Sequence, residues 1–127
     1  MARTSKPTDA ELEILQLLWQ GPQTVRTVND TLNEKRQVGY TTTLKIMQIM
    51  FEKGSVERQQ QGRGHLYSAV YKEQETQKML LDRFMQNAFG GSALKLVMQA
   101  LGNRKTSQSD LAEIKDYLTT LEGEEKL

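Results

Sequence analysis

Apolar positions recur at helical spacing near the start of the chain. Leu12, Leu15, Leu18 and Trp19 fall on one face there, and Gly21-Pro22 ends the run. Thr8 precedes that run with Glu11 three residues on, a pairing in which each side chain caps the other's backbone N–H and opens a helix. Val25, Val28 and Leu32, at i, i+3 and i+7, predict a second helix from about Thr24. The polar stretch Asn33-Glu34-Lys35-Arg36 and then Gly39 break it. A third helix is predicted over residues 40–53, closed by Gly54. It should bury Leu44, Ile46, Met47, Met50 and Phe51 and leave Thr41, Thr42, Lys45, Gln48 and Glu52 on its other face. The period then shortens. Residues 55–58 alternate, Gln59-Gln60-Gln61-Gly62-Arg63-Gly64 make a polar tip, and residues 65–70 supply a second short run, which together predict a hairpin.

Three helices with short links followed by two strands are the order of a winged helix-turn-helix, so a mostly α fold of that type is expected over residues 1–71. Beyond Tyr71-Lys72 the pattern is helical throughout. Residues 73–89 carry Leu80, Leu81, Phe84 and Ala88 before Gly90-Gly91, and residues 92–101 carry Leu94, Val97, Met98 and Leu101 before Gly102-Asn103. Ser107, capped through Asp110, opens a last helix with Leu111, Ile114, Leu118 and Leu121 at heptad-like spacing. A segment as short as residues 72–127 buries only about 60% of its unfolded surface. Its apolar stripes need a partner, and the simplest is a second copy related by two-fold symmetry. Residues 72–127 are therefore expected to be a three-helix dimerisation arm, with Leu81, Phe84, Leu94, Val97, Leu101, Leu111, Ile114 and Leu118 supplying the buried surface.

Composition narrows the chemistry. Among 127 residues there is no cysteine and a single histidine, His65, so thiolate metal sites and disulfides are excluded and no metal or other cofactor is expected. No run reaches membrane-spanning length and no hydrophobic signal segment opens the chain, which makes a soluble, cytoplasmic protein the expectation. No paired carboxylates, nucleophile–base set or phosphate-cradling glycine loop can be assembled, so an enzyme is not expected. The net charge of +1 hides an uneven spread. Residues 35–72 hold seven basic residues (Lys35, Arg36, Lys45, Lys53, Arg58, Arg63 and Lys72) against Glu52 and Glu57, which leaves +5 there and −4 elsewhere. A basic patch on a nearly neutral chain is the electrostatic footprint of a nucleic-acid binder.

The candidate contacts follow from that patch. Thr41, Thr42 and Lys45 occupy the first turns of the third helix away from its apolar stripe, with Gln48 one turn on. Hydroxyls, a lysine and an amide there can meet base edges or phosphates of double-stranded DNA. Thr41 can also simply cap the helix. Arg63 stands between Gly62 and Gly64, which permit the positive φ of a tight turn, and can reach phosphate or the minor groove. Thr24 can offer the N-terminus of the second helix to a phosphate. Arg3 and Lys6 lie in a Ser/Thr/Pro-containing lead segment, more simply read as a tail. His65 and Tyr67 read as packing residues of the wing, and Trp19 as core.

Several motifs, in this order and at this spacing, resemble the penicillinase-repressor family over nearly the whole chain. They are Asp9-Ala10-Glu11-Leu12-Glu13-Ile14-Leu15 with Leu18-Trp19, then Tyr40-Thr41-Thr42-Thr43, then Phe51-Glu52-Lys53-Gly54, then Gly62-Arg63 before Leu66-Tyr67. The resemblance implies a bacterial homodimeric repressor on dyad operators built from TACA and TGTA half-sites. Members linked to β-lactam resistance are released by proteolysis, so a sensor protease is an implied candidate partner. The implied cut falls between Gln99 and Ala100, where those relatives carry Asn-Phe. A copper-sensing branch uses cysteines near the C-terminus, which this chain lacks. Two other readings stay open: a winged-helix module whose third helix contacts a protein, and a small-ligand-gated regulator with an apolar pocket between its DNA and dimer domains.

Overall fold

The computed structural model describes residues 6–103 and 105–125, which leaves Arg3 outside the described residues. In chain order the elements are α1 (Asp9–Leu18), β1 (Gln23–Thr24), α2 (Val25–Leu32), α3 (Tyr40–Lys53), β2 (Val56–Gln61), β3 (Gly64–Ala69), α4 (Glu73–Phe89), α5 (Ala93–Gly102) and α6 (Gln108–Glu125). The chain divides into two compact units, residues 1–81 and 82–127.

In the first unit the capping box forms as its residues dictate. The Glu11 N–H donates to Thr8 Oγ1 at 3.1 Å, and the Thr8 N–H donates to Glu11 Oε1 at 3.0 Å. The buried face of α1 is Glu11, Ile14, Leu15 and Leu18, so Ile14 takes the core position while Leu12 is only half-buried. Glu11 is buried because its second oxygen accepts from Lys53 Nζ at 2.9 Å, which ties α1 to the end of α3. Val25, Val28 and Leu32 complete the core from α2, and Met47 and Met50 from α3. Each such side chain contributes roughly 1.5–3 kcal/mol by leaving water.

One expectation for α3 is corrected, and one buried residue is added. Phe51 is 38% exposed and not core, its ring being covered by the Arg58 guanidinium 4.0 Å from the centroid. Thr43 takes the buried position instead, and its hydroxyl donates to Asn29 Oδ1 at 2.7 Å, so a polar group enters the interior already satisfied. Gly54 ends the helix with φ +85°, a conformation that would strain any side-chain-bearing residue. The N–H groups of Gly54 and Ser55 then donate to the carbonyls of Phe51 and Met50.

The sheet has three strands in the order β1-β3-β2, all antiparallel, where two were expected. The added strand is the dipeptide Gln23-Thr24, paired to Tyr67 and Leu66. Too short to show a period, it forms because the chain entering α2 passes the free edge of β3. The first hairpin arm is also longer than expected. Gln61 pairs with Gly64, so the glutamine run belongs to β2 and the turn is only Gly62-Arg63. Gly62 takes the positive φ, +60°, whereas Gly64 is ordinary strand. Main-chain pairing to β3 holds the glutamine run, whose side chains are all exposed. Tyr67 is fully buried, and Trp19, half-buried at the core's edge, donates from Nε1 to the Tyr71 carbonyl at 2.8 Å. Thr76 in the first turns of α4 is buried too, and residues through Leu81 group with this unit.

In the second unit Ser92 Oγ caps α5 by accepting from the Lys95 N–H at 3.1 Å, and Ser107 Oγ accepts from the Asp110 N–H at 3.0 Å ahead of α6. Phe84 and Phe89 meet edge to face with centroids 5.7 Å apart. No described residue of this unit is buried within the single chain. Phe84, Leu94, Met98, Tyr117 and Leu118 all keep more than half of their surface open.

Candidate nucleic-acid interface

The helical phase of α3 decides which side chains can meet a partner. With Thr43, Met47 and Met50 inward, Thr41, Thr42, Lys45 and Gln48 all stand exposed. Gly39 precedes the helix without any side-chain cap, so Thr41 is not the capping residue and its hydroxyl stays free. Thr42 flanks a shallow hollow bounded by Glu13, Arg36 and Ile46, whereas Gln48 lies on the opposite flank, toward the wing. Ile49, 37% exposed, is an apolar addition that the periodicity does not single out.

A cleft between α2, α3 and the wing draws together Thr24, Gln48 and Arg63 with Arg26, Tyr40 and His65. Thr24 itself is half-buried and caps α2, its Oγ1 accepting from the Thr27 N–H at 3.2 Å. Its hydroxyl is therefore taken up by the helix start and is not free. Lys45 and Thr41 sit outside this cleft on the crest of α3. His65 is half-buried and meets Tyr67 edge to face at 6.3 Å, as a wing packing residue should.

The distribution of partners sharpens the electrostatics. Arg36 donates two hydrogen bonds of 2.6 Å to Glu13, and Lys53 is paired with Glu11. Arg58 is held over Phe51 and donates to Tyr67 Oη at 3.3 Å. Among the described residues no ion pair holds Lys45 or Arg63. The uncompensated cations of the basic segment thus include the crest of α3 and the tip of the wing. Arg36 holds the Glu13 carboxyl below its ordinary value by hydrogen bonding. Burial pushes the Glu11 carboxyl up, but the Thr8 backbone N–H, Lys53 and the Thr8 hydroxyl together outweigh it and leave it lowered. Both acids therefore stay ionised and keep their cations occupied near neutral pH.

Arg26 and Tyr40 are the residues that sequence pattern alone passes over. The Arg26 guanidinium lies 5.4 Å from the Tyr40 ring centroid. A cation in the first turn of a helix, where the helix dipole disfavours it, was the available signal.

Comparison with known proteins follows the same lines. A family model described as "Penicillinase repressor" matches residues 7–120. The transcriptional regulator BlaI of Mycobacterium tuberculosis is 30% identical over 95 residues, spanning 72% of this chain and 69% of that protein. In fold, the solution structure of the DNA-binding domain of the repressor BlaI superposes with a TM-score of 0.52 at 22% identity, over 57% of this chain and 90% of that one. The crystal structure of a transcriptional regulator from Thermotoga maritima gives 0.53 at 20% identity, over 91% and 74%.

Proposed function

This chain belongs to the penicillinase repressor family, and we propose that it represses transcription as a homodimer bound to a dyad DNA operator with TACA/TGTA-like half-sites. It is a regulator and not an enzyme. One observation carries the reading: the outer face of α3 presents Thr41, Thr42, Lys45 and Gln48 unpaired, beside a wing whose tip carries an unpaired Arg63. An α-helix with side chains is about 10–12 Å across and the major groove of B-DNA about 12 Å wide, so the helix crest enters and the wing reaches the adjoining backbone. Unpaired cations on both the helix crest and the wing tip favour a polyanion over a protein-interaction surface.

The helical arm, residues 72–127, supports the homodimer. Leu81, Phe84, Leu94, Val97 and Leu118 are exposed in the single chain, and Leu101, Leu111 and Ile114 half-buried, a surface that a second copy would cover. Tethering makes the second half-site encounter intramolecular, so repression is relieved when the arm is disrupted. A sensor protease is the candidate agent. Gln99 and Ala100 are exposed on α5, inside the helix, so cutting their bond would require that helix to unwind.

Fluorescence anisotropy of the intact chain with a duplex carrying the dyad, repeated over a series of salt concentrations, tests the proposal. Saturable binding that weakens steeply with salt is expected. Absence of binding at low salt would refute it.

A further inference from the structure

We infer that Arg26, held on the Tyr40 ring, is a phosphate-gripping residue, and that the cleft between α2 and the wing seats the DNA backbone beside the groove that α3 enters. The inference rests on the DNA-binding reading above and deepens it.

The first argument is charge. The cleft is lined by Arg26 and Arg63, with His65, Gln48 and the capped N-terminus of α2 at Thr24, and no carboxylate lines it. Two guanidinium groups with no carboxylate between them make this an electropositive surface that attracts an anion. Duplex DNA offers such anions in a continuous row.

The second argument is the placement of Arg26 itself. It stands in the first turn of α2, which carries no acidic residue, and there the helix dipole repels a cation. Among the described residues no ion pair relieves it. The contact with Tyr40 offsets part of that repulsion but neutralises no charge, whereas an anion at the same spot would draw on both the side chain and the helix-end N–H groups that the Thr24 cap leaves open.

The third argument is geometry. The guanidinium carbon lies over the Tyr40 ring, 5.4 Å from its centroid, and among the described residues no hydrogen bond or ion pair takes up its donors. Tyr40 opens α3, so this contact positions Arg26 relative to the helix that reads the bases. In helix-turn-helix proteins the helix before the reading helix crosses the backbone, which is where a phosphate contact belongs.

The test uses the intact chain with two labelled duplexes of about 30 base pairs, one random in sequence and one carrying a TACA/TGTA dyad, titrated across a salt series. Arg26→Ala should weaken both duplexes by the same factor, about three- to tenfold, and flatten the log–log salt slope by about 0.9 per bound protomer. Arg26→Lys should restore most of the slope, and Tyr40→Phe should leave it unchanged. Thermal unfolding is followed in parallel. If Arg26→Ala lowers the melting temperature but leaves the slope intact, the pair is only a clasp between α2 and α3 and the inference falls. Loss of preference at a single base pair would make Arg26 a base reader and overturn it equally. If the wild-type chain binds neither duplex, the DNA-binding reading fails and takes this one with it.

Discussion

At Lys45 the fold supplies an exposed cation on the crest of α3 with no carboxylate to neutralise it. Lys45→Ala is expected to weaken operator binding by about 1–3 kcal/mol and to relax preference at one base pair, read by titrating single-base variants of the dyad. Even weakening across all sequences with a flatter salt slope would assign it to a phosphate instead. Thr43 makes the opposite case. Its hydroxyl is buried and donates to Asn29, so Thr43→Val should cost about 1–3 kcal/mol in urea unfolding by stranding the Asn29 oxygen, while the DNA-facing surface stays as it was. These two residues also mark how far the site is legible in the sequence. Polar side chains opposite an apolar stripe stand out, which places Thr41, Thr42, Lys45 and Gln48. Three threonines in succession do not reveal which one turns inward, and Phe51 looks like core until Arg58 is seen to shelter it from across the turn. Arg26 and Tyr40 are distant in sequence, so their contact follows only from the packing of α2 on α3.

The helices are legible because each carries a period, and all but the last also carry a stop signal. Thr8 with Glu11 and Ser107 with Asp110 cap where their spacing says they should, and the structure adds a cap at Ser92. The sheet is less legible. A dipeptide strand has no period, and the glutamine run of β2 is polar on both faces because pairing to β3 alone holds it. Gly54 ends α3 at φ +85°, and Gly54→Ala is expected to lower stability by about 1–2 kcal/mol, the cost of a left-handed side-chain-bearing residue, measured by chemical denaturation. The ion pairs that brace α1 give a pH signature. Glu11 and Glu13 both have carboxyl pKa values lowered from 4.5 in the folded chain. Their contribution is therefore fully present above about pH 4.5 and lost as the pH falls through the lower, folded values. Urea midpoints should drop on acidification below that point, and Glu11→Gln should make the drop shallower. A wild-type midpoint that does not move on acidification would contradict this bracing.

For the whole molecule, the apolar residues left open in residues 82–127 set the expectation. Sedimentation should find a dimer at tens of micromolar, and a monomer alone would remove the arm as a dimerisation element. A fragment spanning residues 1–81 keeps the buried Thr76 and the complete core, so it should fold yet bind a full dyad about 100-fold or more below the intact chain. Undiminished binding by the fragment would show that the arm is not the tether on which repression depends. The most direct measurement uses the intact chain on two duplexes, one with the complete dyad and half-site centres about 10 base pairs, or a multiple of that, apart, and one with a single half-site scrambled. Two chains per complete dyad, with affinity falling about 100-fold or more when one half-site is scrambled, is the expected result. One chain per duplex with the same affinity for both would contradict the tethered, groove-reading dimer.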